Sequence, residues 1–257
     1  MTLSISNLSS GYRARSVLQQ ITLPSIPAGS LVALIGPNGV GKSTLVRALA
    51  GLQPASGQVT LQDEPLATLS PRERQRRVAY LPQTLPQATS LVVYEMLLGA
   101  AYLSGETVQA QITAAIARVA DSLEITELML RRLSELSGGQ RQMVGLAQVL
   151  VRQAPLLLLD EPTSALDLRW QLNVLEVVRR YVRERQAIAL VASHDLNLAL
   201  RFADQVIMLA PGGDCRMGEP LQVVTSDSLQ TCYGVQGRVE TCSLGYPVVL
   251  VDGVADL

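Results

Sequence analysis

The stretch Gly36-Pro37-Asn38-Gly39-Val40-Gly41-Lys42-Ser43-Thr44 constrains this chain more than any other. It follows the apolar run Leu31 to Ile35 and precedes a helical pattern from Leu45 to Leu52. Both letters and setting are those of a phosphate-binding loop, where a strand turns through glycines into a helix N-terminus. Glycines let successive backbone N–H groups point at one anion, and the helix dipole adds positive potential. Lys42 supplies a point charge and Ser43 a hydroxyl for a divalent cation. Such a loop requires a strand-loop-helix unit, which commits the chain to an α/β architecture.

The rest of the chain repeats that rhythm. Leu156 to Leu159, Ala187 to Ala192 and Val206 to Leu209 are short apolar runs that precede Asp, Ser or Ala and then helical patterns. Buried strands of a mostly parallel sheet, covered by helices, have this signature. From Pro86 to Ala154 no such run occurs, and Val92 to Leu103 and Val108 to Leu123 read as helices, so a helical subdomain is expected there. Leu3 to Leu8, Val17 to Leu23 and Gln58 to Leu61 read as antiparallel strands near the phosphate loop, and Arg238 to Cys242 and Pro247 to Val251 as two more near the end. The expected division is a core of residues 1–85 and 155–230, a helical insert over 86–154, and an extension over 231–257 without an assigned role. The arginine runs Arg72 to Arg77 and Arg179 to Arg185 read as solvated helix faces.

With 257 residues the chain can bury one large core, and 21 basic against 22 acidic residues leave a net charge of -1. No global field would draw it to nucleic acid or anionic lipid. Cys215, Cys232 and Cys242 have neither C-x-x-C spacing nor an even count, which points away from disulfides and zinc and toward a reducing compartment. Apolar runs fall well short of the ~18 residues that cross a bilayer. Met1 to Gly11 lacks the basic and apolar blocks of a signal peptide, so any service to a membrane is expected through another chain.

Two further motifs carry chemistry. Leu156 to Leu159 ends in Asp160-Glu161-Pro162, which puts two carboxylates at the C-terminal edge of the sheet, where such folds bind ligands. Asp160 is suited to hold Mg²⁺ through water, and Glu161 to orient and deprotonate an attacking water. Leu136-Ser137-Gly138-Gly139-Gln140 begins a helix with a serine and two glycine amides, a second anion-binding end. One ATP needs one phosphate loop, so a second such end makes sense if it completes the site of a neighbouring subunit.

With these three motifs together, the chain resembles an ATP-binding-cassette (ABC) ATPase over nearly its full length. The resemblance implies a P-loop NTPase core with an antiparallel β subdomain and an inserted helical subdomain. It also implies ATP and Mg²⁺ as cofactors, and a head-to-tail homodimer with ATP between one phosphate loop and the other subunit's Ser137, Gly138, Gly139 and Gln140. Carried over residue by residue, Ser43, Gln83 and Asp160 contact the metal, while Glu161, His194, Gln83 and Lys42 are catalytic. Tyr12 stacks on adenine, and Asp167 in Ser164-Ala165-Leu166-Asp167 lies in the loop that senses the opposite site. From the residues alone, His194 would be an ordinary neutral histidine, Gln83 a surface glutamine and Tyr12 an exposed hairpin tyrosine; the family frame gives them their roles. Gln148 departs from the pattern, standing where relatives often carry arginine.

Leu69-Ser70-Pro71-Arg72-Glu73-Arg74, Tyr80-Leu81-Pro82-Gln83, His194 to Ala199, Gly218-Glu219-Pro220 and Tyr233-Gly234-Val235 are similar to ATPases serving iron-siderophore, haem or cobalamin permeases. That likeness implies an importer motor on the cytoplasmic face of the inner membrane. Its partners would be integral-membrane permease subunits, docked near Thr84 to Gly99, and indirectly a substrate-binding protein. Zinc or manganese import, export, a soluble cassette of repair or translation, and a small-molecule kinase are the competing readings. The last does not account for Leu136 to Gln140, and the soluble cassettes carry a coiled coil or a second cassette that this chain lacks.

Overall fold

The computed structural model describes residues 2–12, 15–84 and 90–255. In chain order, β1 (Thr2–Tyr12), β2 (Arg15–Pro27) and β3 (Leu31–Ile35) lead into α1 (Lys42–Ala50). Strands β4 (Ala55–Leu61) and β5 (Glu64–Pro65), helix α2 (Pro71–Arg77) and strand β6 (Val78–Leu81) follow. Three helices come next: α3 (Val93–Ala101), α4 (Gln109–Ser122) and α5 (Gly138–Leu150). The chain then alternates through β7 (Leu156–Asp160), α6 (Leu168–Arg185), β8 (Ile188–Ala192), α7 (Leu196–Phe202) and β9 (Gln205–Leu209). It closes with β10 (Cys215–Gly218), α8 (Pro220–Val223), α9 (Ser226–Tyr233), β11 (Val235–Thr241) and β12 (Pro247–Val254).

The central sheet has six strands in the order β10-β9-β3-β8-β7-β6, parallel except for β10. Each of β3, β7 and β8 is buried along its whole length, as their unbroken apolar runs require. Side chains alternate between two cores. Leu156, Leu158 and Leu190 face α1 and the antiparallel sheet, ordered β2-β1-β4-β5, while Leu157, Leu159 and Val191 face α3 to α6. Each fully buried leucine stabilises by ~1.5–3 kcal/mol, so these two layers hold the sheet between them. A third cluster joins Ala33, Ile35, Val206 and Met208 to α7, α9 and Val249 of β12.

Two expectations need correction. Strand β6 was not anticipated: Val78–Leu81 follows α2 without a Gly or Pro to mark the boundary, yet it pairs in parallel with β7 from Val78↔Leu156 to Leu81↔Leu159. Nor is the arginine run of α2 wholly solvated. Arg74 is partly buried and donates to the carbonyls of Leu49 (3.0 Å), Ala50 (3.2 Å) and Leu66 (3.0 Å), so it caps the C-terminus of α1. Burial lowers its pKa. The helices between 92 and 150 form as expected, though residues 85–89 of the anticipated docking stretch lie outside the described residues. Among the described residues no helix is long and apolar enough to cross a membrane.

Candidate nucleotide site

Four neighbouring parallel strands, β3, β8, β7 and β6, end side by side, with Leu34 and Asp160 both level with Ala192. From those ends emerge the phosphate loop after β3, His194 after β8, Asp160 and Glu161 at β7, and Gln83 after β6. The crevice beyond the carboxyl ends of parallel strands is where open α/β sheets bind ligands.

The loop has the backbone its glycines allow. At Gly36, φ is +144°, and a Cβ would lie 2.4 Å from the carbonyl oxygen of Leu209, so the loop begins pressed against the end of β9. At Gly41, φ is +116°, and a Cβ would lie 2.9 Å from both Val17 and Leu18. Gly41 is also the N-cap of α1 and offers no side chain to its amides. The first-turn N–H groups therefore remain available to an anion. Pro37, Asn38, Gly39 and Val40 form the outer arch, partly or fully exposed, whereas Thr44 is buried beneath it.

Lys42 is 6% exposed, and its ammonium donates to the carbonyls of Gly36 (2.7 Å) and Pro37 (3.1 Å). Burial lowers its pKa, opposed by the charges of Glu161 and Asp160. Ser43 Oγ donates to Asp160 Oδ1 at 2.9 Å. Asp160 is fully buried and its Oδ2 has no hydrogen-bond partner. Burial raises its pKa, with the Ser43 hydrogen bond and then Arg47 acting the other way. A buried carboxylate oxygen without a partner beside a serine hydroxyl fits a hydrated divalent cation.

Glu161 stands at φ +52°, uncommon for a residue with a side chain, and its N–H donates to Ala192 O at 3.1 Å. Gln83 Nε2 donates to Glu161 Oε2 at 2.8 Å, and His194 Nδ1 lies 3.8 Å from the same oxygen. Gln83 and His194, from the strands on either side of β7, thus converge on the Glu161 carboxylate. Strained backbone at a carboxylate held by flanking strands is characteristic of functional sites.

The other sequence-derived residues lie apart. Ser137 is the N-cap of α5, accepting from Gln140 N (3.3 Å), while Gln140 Oε1 accepts from Ser137 N (3.0 Å). Ser137 and Gly138 are exposed. Among the described residues no hydrogen bond or ion pair joins this helix end to the phosphate loop of its own chain. Gln142 Nε2 instead donates to Pro162 O at 3.3 Å, tying α5 to the segment after Glu161. Asp167 caps α6 by accepting from Trp170 N at 3.1 Å. Tyr12, 46% exposed, ends β1 with its hydroxyl 3.4 Å from Arg47 Nη1. Gln148 is exposed.

Arg47 escaped the sequence reading. It stands four residues after Ser43, hence on the same face of α1, and its charge acts on Asp160 while its guanidinium reaches Tyr12. That i, i+4 spacing was the available signal.

Residues 18–164, more than half of the chain, match the ABC transporter family model. The hemin import ATP-binding protein HmuV of Thermobifida fusca (strain YX) is 38% identical over 97% of this chain and 88% of its own length. HmuV of Bordetella pertussis is 39% identical over 93% and 94%. Among solved structures, an ATP-binding subunit of an ABC transporter is 28% identical with a TM-score of 0.75, covering 85% of this chain and 90% of that one. A metal-chelate type ABC transporter in an inward-facing conformation shares the fold at a TM-score of 0.81, with 24% identity over 99% and 98%. The chain belongs to the ABC transporter family, and the enzymatic activity of such a chain is ATP hydrolysis coupled to transport.

Proposed function

We propose that this chain is the ATP-hydrolysing subunit of an importer for a metal chelate, with haem the leading cargo, and that it works as a head-to-tail homodimer on the cytoplasmic face of a permease. Residues 1–85 and 155–230 act as the nucleotide core, 86–154 as the helical subdomain, and 231–257 as an extension. The observation that carries the dimer is Gly138. It is exposed in the first turn of α5, and a Cβ there would meet nothing within 4 Å. The chain's own fold does not ask for glycine, whereas a triphosphate seated against the helix end would. Support for the cargo comes from relatives named for hemin import that align over nearly the whole chain.

In this reading the phosphates of ATP replace the carbonyls of Gly36 and Pro37 as partners of Lys42 and take up the free amides of α1. Mg²⁺, when bound, would be held by Ser43, Asp160 and the Gln83 carbonyl, and would neutralise phosphate charge. Glu161, gripped by Gln83, orients the attacking water and takes its proton, and His194 contacts the γ-phosphate. Tyr12 covers the adenine. The partner's Ser137, Gly138, Gly139 and Gln140 close over the phosphates, so turnover follows closing and opening of the dimer, a motion a permease can harness. Asp167, beside the loop packed against Gly139, relays the state of one site to the other.

The deciding experiment purifies the chain with its membrane partner and compares ATPase stimulation by binding proteins loaded with haem, a ferric siderophore, cobalamin, zinc or manganese. Haem-specific stimulation is expected. Stimulation by zinc or manganese alone would overturn the cargo assignment.

A further inference from the structure

The hairpin β11-β12 forms its own two-stranded sheet, closed at its base by Ala255 N donating to Gly234 O at 2.9 Å. Its surroundings reach the end of β3, from which the phosphate loop emerges, and the helix that follows His194. Tyr233, the last residue of α9, packs its ring on the cluster that contains Ala33, Ile35 and Met208. Its hydroxyl is buried and has no hydrogen-bond partner, so packing alone seats the end of α9 against that cluster. Ile35 immediately precedes Gly36, the first residue of the phosphate loop.

The second contact lies on α7, the helix that follows His194. Asn197 Oδ1 accepts from Val249 N of β12 at 2.7 Å, a partly buried bond between segments far apart in sequence. One turn further, the Arg201 guanidinium lies 4.3 Å over the ring of Tyr246, in the turn of the hairpin. Asp195 caps α7 through Leu198 N at 3.0 Å, so displacement of this short helix carries the His194 segment with it.

We propose that the unit of α9, β11 and β12 braces the nucleotide site, with Asn197 as a positioning residue for the His194 loop. This rests on the assignment of the phosphate loop to ATP. A histidine 58% exposed at a strand end gains from a helix that cannot slide.

The test uses the full chain and MgATP. Asn197→Ala is expected to lower kcat several-fold with Kd unchanged, and Asn197→Asp, which keeps the acceptor for Val249 N, to restore it. Wild-type kcat in Asn197→Ala, or equal damage in Asn197→Asp and Asn197→Ala, overturns the brace. Lys42→Ala, measured alongside, separates the two readings: if it loses affinity while Asn197→Ala turns over normally, the brace alone fails, and if it too binds normally, the phosphate-loop assignment falls first.

Discussion

Replacing Asp160 by Asn should make the nucleotide-free protein more stable and the nucleotide-bound protein less so. The amide keeps an oxygen to accept from Ser43 at 2.9 Å, but it removes the charge from a fully buried group whose second oxygen has no partner. An orphaned neutral polar group costs ~1–3 kcal/mol and a charged one more, which gives the variant an advantage of about 1–2 kcal/mol at neutral pH. For a chain of this size that is a rise in Tm of roughly 2–6 °C. The pH dependence has a definite sign. Because the folded pKa lies above 3.8, the protein binds more protons folded than unfolded, so the stabilising contribution is complete below 3.8 and is lost as pH rises through the folded value. The gap between variant and wild type therefore opens across the carboxylate range and then stays constant. Saturating MgATP reverses the order: a ligand at a hundred times its Kd stabilises the wild type by about 2.7 kcal/mol, and the variant forgoes the cation-dependent part. Thermal unfolding with and without MgATP, in acid and at neutral pH, reads all of this. A nucleotide-free variant less stable than wild type at neutral pH, or one that gains as much from MgATP, would refute the argument.

Glu161→Gln should bind ATP with wild-type affinity, lose at least about a hundredfold in turnover, and accumulate as a closed dimer on gel filtration; normal steady-state hydrolysis would exclude Glu161 as the base. Gly138→Ala should leave the isolated chain as stable as wild type or up to about 1 kcal/mol more so, since alanine is the better helix former, while abolishing ATP-driven dimerisation. Light scattering checks the second half, and a dimer that forms normally would detach α5 from the shared site. Arg74→Met should cost about 2 kcal/mol in chemical denaturation by releasing three carbonyls near α1, with the Kd for ATP nearly unchanged. A large change in nucleotide affinity there would show that the C-terminus of α1 controls its N-terminus.

How much of this was legible in the sequence depends on the range of the interactions. The phosphate loop was legible because its pattern is local: Gly36, Gly41, Lys42 and Ser43 fall within one short loop and the start of the helix after it. Strands β3, β7 and β8 were legible because burial on both faces leaves an unbroken apolar run. Strand β6 was not, since Val78–Leu81 is four residues long and abuts an arginine-rich helix, so no local signal separates it from α2. Arg74 reads as solvated by composition and is drawn inward by tertiary contacts that composition does not encode.

The meeting of Gln83, Glu161 and His194 is the clearest limit. Each can be named from a motif, but Gln83 and His194 meet at the Glu161 carboxylate because β6 and β8 flank β7 in the sheet, although three helices separate β6 from β7 in the chain. Sequence specifies which residue ends each strand, and pairing decides which ends meet. The same reasoning explains why the C-terminal hairpin looked idle: Val249 carries no motif, and its position matters only because β12 comes to rest beside α7. A residue whose chemistry is ordinary acquires a role when pairing ties a distant strand to the helix behind a functional loop, and substitutions that spare the packing while removing one hydrogen bond are the means to see it.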